Sequence, residues 1–206
     1  NINVNGKLSI YGNIEQIYSS TAYYLYVTSI GHQTLGGSSG TYSVKRSVLL
    51  GYQAGYNMAS GGHAEDNIFI GYQSGYNVGG GTSSNANIGI GYKTLFNSSS
   101  NYSRYNTIIG YDAGSGGQNG SNTIVGYISG RSIDGGVENA LFGDQTGRNI
   151  TTGSKNTLIG SNAGQALTTG YGNTLIGKSV AYTMSTTNNN TALGYQSLGL
   201  TTASKN

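Results

Sequence analysis

The stretch Asn156-Thr157-Leu158-Ile159-Gly160-Ser161-Asn162-Ala163-Gly164 decides how this chain is read, because its opening phrase recurs along almost the whole length. The phrase has the form Asn-Thr-apolar-apolar-Gly. Its glycine returns at Gly31, Gly51, Gly71, Gly91, Gly110, Gly126, Gly143, Gly160, Gly177 and Gly194. Successive glycines lie 20, 20, 20, 19, 16, 17, 17, 17 and 17 residues apart. A near-constant period of this length marks stacked units, each burying its apolar face only against its neighbours. The expected fold is all-β: a parallel β-solenoid or β-roll of about ten short coils over residues 21–206, led in by residues 1–20.

Aligned on their glycines, the units become columns. The residue before the glycine is always apolar: Ile30, Leu50, Ile70, Ile90, Ile109, Val125, Phe142, Ile159, Ile176 and Leu193. The residue before that is mostly apolar too, as in Leu49, Phe69, Ile108, Ile124, Leu141, Leu158 and Leu175. Neighbouring side chains on a strand point to opposite faces, so each rung predicts a strand that needs cover on both sides. One face fills the coil. No segment has the helical period that could cover the other. Copies of the same chain are the simplest cover, so a homo-oligomer packed along its length is expected. Three and four residues after the anchor come small residues and glycines, such as Ala163-Gly164, suited to a tight corner. Met58, Val78, Ile133, Ile150, Leu167 and Met184, seven after the anchor, form a second apolar column read as a second short strand.

Asparagine stands four residues before the glycine at Asn67, Asn87, Asn106, Asn122, Asn139, Asn156, Asn173 and Asn190. Stacked amides at a corner can bond from rung to rung, and asparagine tolerates turn geometry; these eight are read as a structural ladder. The stretch Ile2–Gly12 alternates apolar with polar residues around Asn5-Gly6, which predicts a lead-in strand or hairpin.

Composition removes several functions. The chain of 206 residues has no cysteine, so no disulfide or thiolate chemistry is open to it. Ten Lys and Arg against seven Asp and Glu give a charge of +3 without a basic run, which leaves no footprint for nucleic acid. No stretch approaches the roughly eighteen apolar residues of a membrane span. His32 and His63 lack metal-ligand spacing, so neither a metal nor a cofactor is expected. Among the acids, Asp134, Glu138 and Asp144 fall close enough in sequence to raise glycoside hydrolysis, which needs two converging carboxylates. Their setting is that of a solvated loop, and no catalytic residue is assigned.

Two aromatic columns are the candidate contact surface. Tyr52, Tyr72, Tyr92, Tyr111, Tyr127 and Tyr195 follow the anchor glycine, where other units carry His32, Asp144, Ser161 and Lys178. A column that accepts Asp and Lys is not dry core. Tyr56, Tyr76 and Phe96 stand four residues further on, continued by Arg131 and Arg148. Such a patch can stack on sugar rings, or it can simply be an aromatic ladder between coils. Tyr102 and Tyr105 join it as loop aromatics.

With the columns in place, the strings Asn156–Gly164 and Asn190-Thr191-Ala192-Leu193-Gly194-Tyr195-Gln196-Ser197 resemble the repeats of bacteriophage tail fibres. They are also similar to the head repeats of YadA-like trimeric autotransporter adhesins. The lead-in Val4–Ile10 resembles the strand that often opens repeat regions in tail fibres. The resemblance implies an elongated homotrimer, borne on a virion, that attaches to a host-cell polysaccharide or protein receptor rather than catalysing a reaction. The longer tyrosine-rich early coils depart from the adhesin pattern and favour the fibre. The alternatives are the head of a trimeric adhesin on a bacterial surface and, from another class, a polysaccharide-degrading tailspike. The chain opens at Asn1 and stops at Thr202-Ala203-Ser204-Lys205-Asn206, where the similar Thr152–Asn156 leads into another repeat; the period therefore predicts further repeats and a longer parent protein.

Overall fold

The computed structural model describes residues 24–35, 43–58, 63–79, 84–97, 103–117 and 120–199. The expected lead-in at residues 1–20, Tyr102 and the terminal residues 200–206 lie outside them. Thirteen strands follow in order: β1 Tyr24–Leu25, β2 Thr28–Ile30, β3 Val44–Lys45, β4 Val48–Leu50, β5 Ala64–Glu65, β6 Ile68–Ile70, β7 Ile88–Tyr92, β8 Thr107–Tyr111, β9 Thr123–Val125, β10 Ala140–Phe142, β11 Thr157–Ile159, β12 Thr174–Ile176 and β13 Thr191–Leu193. No helix occurs among the described residues. One ten-stranded sheet runs β2-β4-β6-β7-β8-β9-β10-β11-β12-β13, and each of its pairs is parallel. Its register matches the sequence period residue for residue, as in Leu141 opposite Leu158 and Phe142 opposite Ile159. The fold is a β-solenoid.

Each rung sends its middle residue inward. Leu49, Phe69, Ile108, Ile124, Leu141, Leu158 and Leu175 are fully buried and stack along the axis of the coil. Gly89 takes the inward place between Phe69 and Ile108. A methyl there would lie 3.0 Å from the Phe69 ring and 2.8 Å from the Ser74 hydroxyl, so the large ring and the missing side chain fit together. Gly75 presses on the other side of the same ring. Met58, Val78, Ile133, Ile150, Leu167 and Met184 close the core from the opposite wall, all fully buried.

That wall corrects the expectation of a second strand in every coil. The second apolar column lies in no strand: Met58 and Val78 are in turns, and Ile133, Ile150, Leu167 and Met184 each donate their N–H to the carbonyl three residues back. Among the described residues, extended pairing away from the main sheet occurs in β1-β3-β5, at His63, and in the isolated bridges joining Arg104, Gly120 and Val137. The reason lies in the corner that precedes the column. Gly55, Gly75, Gly114, Gly130, Gly147 and Gly164 adopt φ between 49° and 65°, which turns the chain sharply where a strand would run straight.

Two further columns are left-handed without glycine's freedom. Gln33, Gln53, Gln73, Lys93, Asp112, Ile128, Gln145, Asn162, Ser179 and Gln196, two residues after each anchor, have φ of 51° to 58°. Tyr26, Arg46, Asp66, Ala86, Tyr105, Ser121, Glu138, Lys155 and Asn189, five before it, have φ of 47° to 60°. Such residues normally resist this region. Here hydrogen bonds to the adjacent rung hold them, as when Gln73 N–H donates to the Tyr52 carbonyl at 2.8 Å and Asp112 N–H to that of Tyr92 at 2.8 Å. The anchor glycines are fixed by a different constraint. A methyl on Gly126 would fall on the carbonyl oxygen of Gly143 in the next rung, and the same holds up the column as far as Gly177.

Candidate functional site

The structure separates the sequence's candidates into a buried ladder, an outward face and a lateral cleft. The ladder comes first because it fixes the corner from which every strand starts. Each asparagine from Asn67 to Asn173 offers its Oδ1 to two donors of the next coil. Asn156 N–H and Asn156 Nδ2 both donate to Asn139 Oδ1, each at 3.1 Å. Its Nδ2 also donates across to a loop carbonyl, Gly153 for Asn139 and Gly170 for Asn156, each at 2.9 Å. The same Oδ1 pairing runs from Asn67 through Asn190. Ser47 begins the row by accepting from Asn67 N–H at 3.1 Å. All eight amides are buried, so these bonds are made away from water, and nothing about them is available to a ligand.

Alternation along the strand sends the first and third residues outward, with the tyrosine column beside them. The columns at three and one before the anchor contain no charged residue in any of the ten rungs. Ile30, Ile109, Phe142, Ile159 and Leu193 are exposed by more than a third of their surface, and Leu50, Ile70, Ile90, Val125 and Ile176 are half-buried. In the early coils the outward triplets are Val48, Leu50, Tyr52, then Ile68, Ile70, Tyr72, then Ile88, Ile90, Tyr92. The two uncharged columns lie two residues apart, so with nine rung spacings along they make a strip roughly 7 Å by 45 Å, about 300 Å². That is the size of the largest patch on a typical monomer, which is often functional.

The aromatic columns are true stacks. His32, Tyr52, Tyr72, Tyr92, Tyr111 and Tyr127 stand with successive ring centroids 4.6 to 5.7 Å apart. Tyr56, Tyr76 and Phe96 form a second stack at 5.0 and 5.2 Å. Interior rings therefore spend both faces on each other and show their edges to solvent. Tyr105 belongs to neither: it occupies a left-handed corner five before Gly110, exposed by 64 %. Tyr195 shares the first column but follows Lys178, with no ring below it.

The second stack stops at Phe96, because the next coil places Ser115 where a ring would stand. Asn97 N–H donates to the Ser115 carbonyl at 3.1 Å, so the two coils are in contact at that point. The missing ring leaves a cleft of about 380 Å³ lined by Tyr92, Lys93, Phe96, Asn97, Tyr111, Asp112, Ser115 and Arg131. Lys93 Nζ hangs 4.9 Å from the Phe96 centroid and 5.4 Å from that of Tyr92. Arg131 Nε donates to Asp112 Oδ2 at 2.8 Å. Sequence reasoning named both aromatic columns but missed Lys93 and Asp112; the break at Ser115, visible in the aligned columns, was the available signal.

A second charged cluster spans the early coils. Lys45 pairs with Glu65 at 3.0 Å, and Arg46 bridges Glu65 at 2.8 Å and Asp66 at 2.6 Å. The hydrogen bond from Lys45, with Arg46 in support, holds the Glu65 carboxyl below its ordinary value, and Arg46 does the same for Asp66. The acids weighed for hydrolysis sit at three different places on the coil. Glu138 takes the left-handed corner before β10, Asp144 enters the tyrosine column after it, and Asp134 lies on the turn beyond Ile133; all three are exposed. Among the described residues no three metal-ligating side chains group together, and no helix is long and apolar enough to cross a membrane.

No protein family, curated protein or solved structure matches the chain.

Proposed function

We propose that this chain is a structural, host-attachment segment of a homotrimeric virion fibre, most simply a phage tail fibre. The observation that carries the reading is the outward strand face: two columns without a charged residue in any of the ten rungs, about 300 Å² in one strip along the solenoid, with a mainly tyrosine column beside them. A stable interface buries roughly 800 Å² per partner, so packing must take in the flanking corners as well as the two uncharged columns. Copies packed face to face would bury the Ile and Leu columns. They would leave the loops and the second aromatic stack of Tyr56, Tyr76 and Phe96 facing outward, repeated once per chain. Attachment then gains from multivalency, since each weak contact is presented several times on one stiff body. The resemblance of the Asn-Thr-Leu-Ile-Gly phrase to tail-fibre repeats supports the same reading.

The functional half is tested by labelling the purified protein and measuring its adsorption to a panel of bacterial cells. Saturable decoration of some strains, with no release of reducing sugar from their surface polysaccharide, is the expected result. Decoration of none would refute attachment. Release of reducing sugar, lost in Asp134→Ala or Glu138→Ala, would replace the fibre with a polysaccharide-degrading spike.

A further inference from the structure

We propose that the cleft left by the missing ring at Ser115 is a binding site for an acidic saccharide, a sugar carrying a carboxylate. This deepens the attachment reading and rests on it for biological purpose, though the site is defined by its own geometry. Tyr76 covers one face of Phe96 at 5.2 Å, and no aromatic side chain follows it in the next coil. The stack therefore ends in a ring with no second aromatic neighbour; Lys93 Nζ lies over that ring 4.9 Å from its centroid, and the adjacent space of about 380 Å³ is within the usual range of small-ligand clefts. A pyranose presents an apolar C–H face and an equatorial rim of hydroxyls, which suits an aromatic end-wall with polar sides. Here the sides are Asn97, Ser115 and Tyr111.

Charge chooses among sugars. Two cations, Lys93 and Arg131, border the cleft against one carboxylate, Asp112. Asp112 engages Arg131 through Nε, which orients the guanidinium while leaving its two terminal amino groups for a second acceptor. Lys93 contacts only the edges and faces of aromatic rings among the described residues, an arrangement that holds an ammonium in place without neutralising it. The cleft thus carries a net positive charge with hydrogen-bond donors on both sides of an apolar wall. A neutral sugar would satisfy the wall and leave the cations unused; a free inorganic anion would satisfy the cations and leave the wall bare.

The test is calorimetric titration of the assembled protein with oligogalacturonate, with neutral xylo-oligosaccharide and sodium sulfate as the comparison ligands. Oligogalacturonate should bind, and both comparison ligands should bind at least about tenfold more weakly. Lys93→Gln should weaken binding about tenfold. Ser115→Tyr, which continues the aromatic stack into the cleft, should abolish it while leaving the thermal midpoint and circular dichroism unchanged or improved. Equal binding of the neutral oligosaccharide, or unchanged affinity in Lys93→Gln, would overturn the proposal. So would a complete lack of oligogalacturonate binding. If the protein still decorates cells in that last case, the attachment reading stands and only the site is lost; if decoration also fails, both fall.

Discussion

Replacing Asn139 by alanine removes one rung of the buried amide ladder, and its cost can be counted bond by bond. The side chain donates from Nδ2 to Asn122 Oδ1 at 3.1 Å and to the Gly153 carbonyl at 2.9 Å. Its Oδ1 accepts from Asn156 N–H and Asn156 Nδ2, each at 3.1 Å. After truncation Asn122 Oδ1 still receives the Asn139 backbone N–H at 3.0 Å, and Asn156 Nδ2 still reaches Gly170. Two buried groups are left without these partners: the Asn156 N–H and the Gly153 carbonyl. Each such loss costs about 1–3 kcal/mol, and the vacated amide volume adds to it, so a total of about 3–6 kcal/mol is expected. Because a solenoid holds together only through nearest neighbours, the damage should also uncouple the coils on either side. Denaturant unfolding followed by circular dichroism should show an earlier, broader or split transition. Asn139→Ser should cost about half as much, since Ser47 already serves as acceptor at the equivalent corner. A loss below about 1 kcal/mol for the alanine variant would refute the ladder as a source of stability.

Three other perturbations separate the remaining forces. Gly126→Ala should cost more than about 4 kcal/mol because its methyl meets the Gly143 backbone, whereas Gly194→Ala, with nothing within 4 Å, should show only the strain of its φ of 115°, about 1–3 kcal/mol; equal thermal shifts would contradict the close-approach argument. Glu65 and Asp66 have lowered carboxyl values in the folded chain, so their contribution is present above the unfolded values near pH 4 and is lost as pH falls through the lower folded ones. Melting curves from pH 6 to 2 should therefore show an acid destabilisation that Arg46→Ala reduces, and a variant with an unchanged acid limb would contradict the pairing. Thr187 is buried with its hydroxyl unpartnered, so Thr187→Val should leave the midpoint unchanged or raise it by up to about 1 kcal/mol of stability; a loss of that size would place a partner on the hydroxyl.

Legibility followed how narrowly each position restricts its residue. Asn139 and Gly143 stand where only one side chain, or none, satisfies the next rung, so the period exposed them directly. The apolar column of Met58 and Val78 was equally legible as core, but not as backbone, because burial alone does not distinguish a turn from a strand. The left-handed columns left only a partial compositional trace: the one two after the anchor is polar in nine of ten units, five of them glutamine, and the one five before it is mixed. Ile128 at φ 54° and Tyr105 at φ 58° are held by hydrogen bonds to adjacent coils, and any L-residue can be forced there by that pairing. The glutamine row went unread for a related reason. Gln73 donates to Gln53, and Gln53 to Gln33, at 2.7 Å each, but Lys93, Asp112 and Ile128 interrupt the column before glutamine returns at Gln145 and Gln196. At the cleft, the aromatic columns could be aligned by eye. The reach of Arg131 across one coil to Asp112 depends on the lateral offset of side chains, which the period does not encode.

The uncharged outward face is the feature on which the whole functional reading turns, and its occupant can be weighed directly. Sedimentation equilibrium of the purified chain across a hundredfold range of concentration gives the mass of the assembled species. A single species at three times the 21.3 kDa of one chain is expected, reduced towards monomer when Ile90 and Ile109 on that face are both replaced by lysine. A stable, folded species at 21.3 kDa throughout, with the Ile and Leu columns open to water, would contradict it.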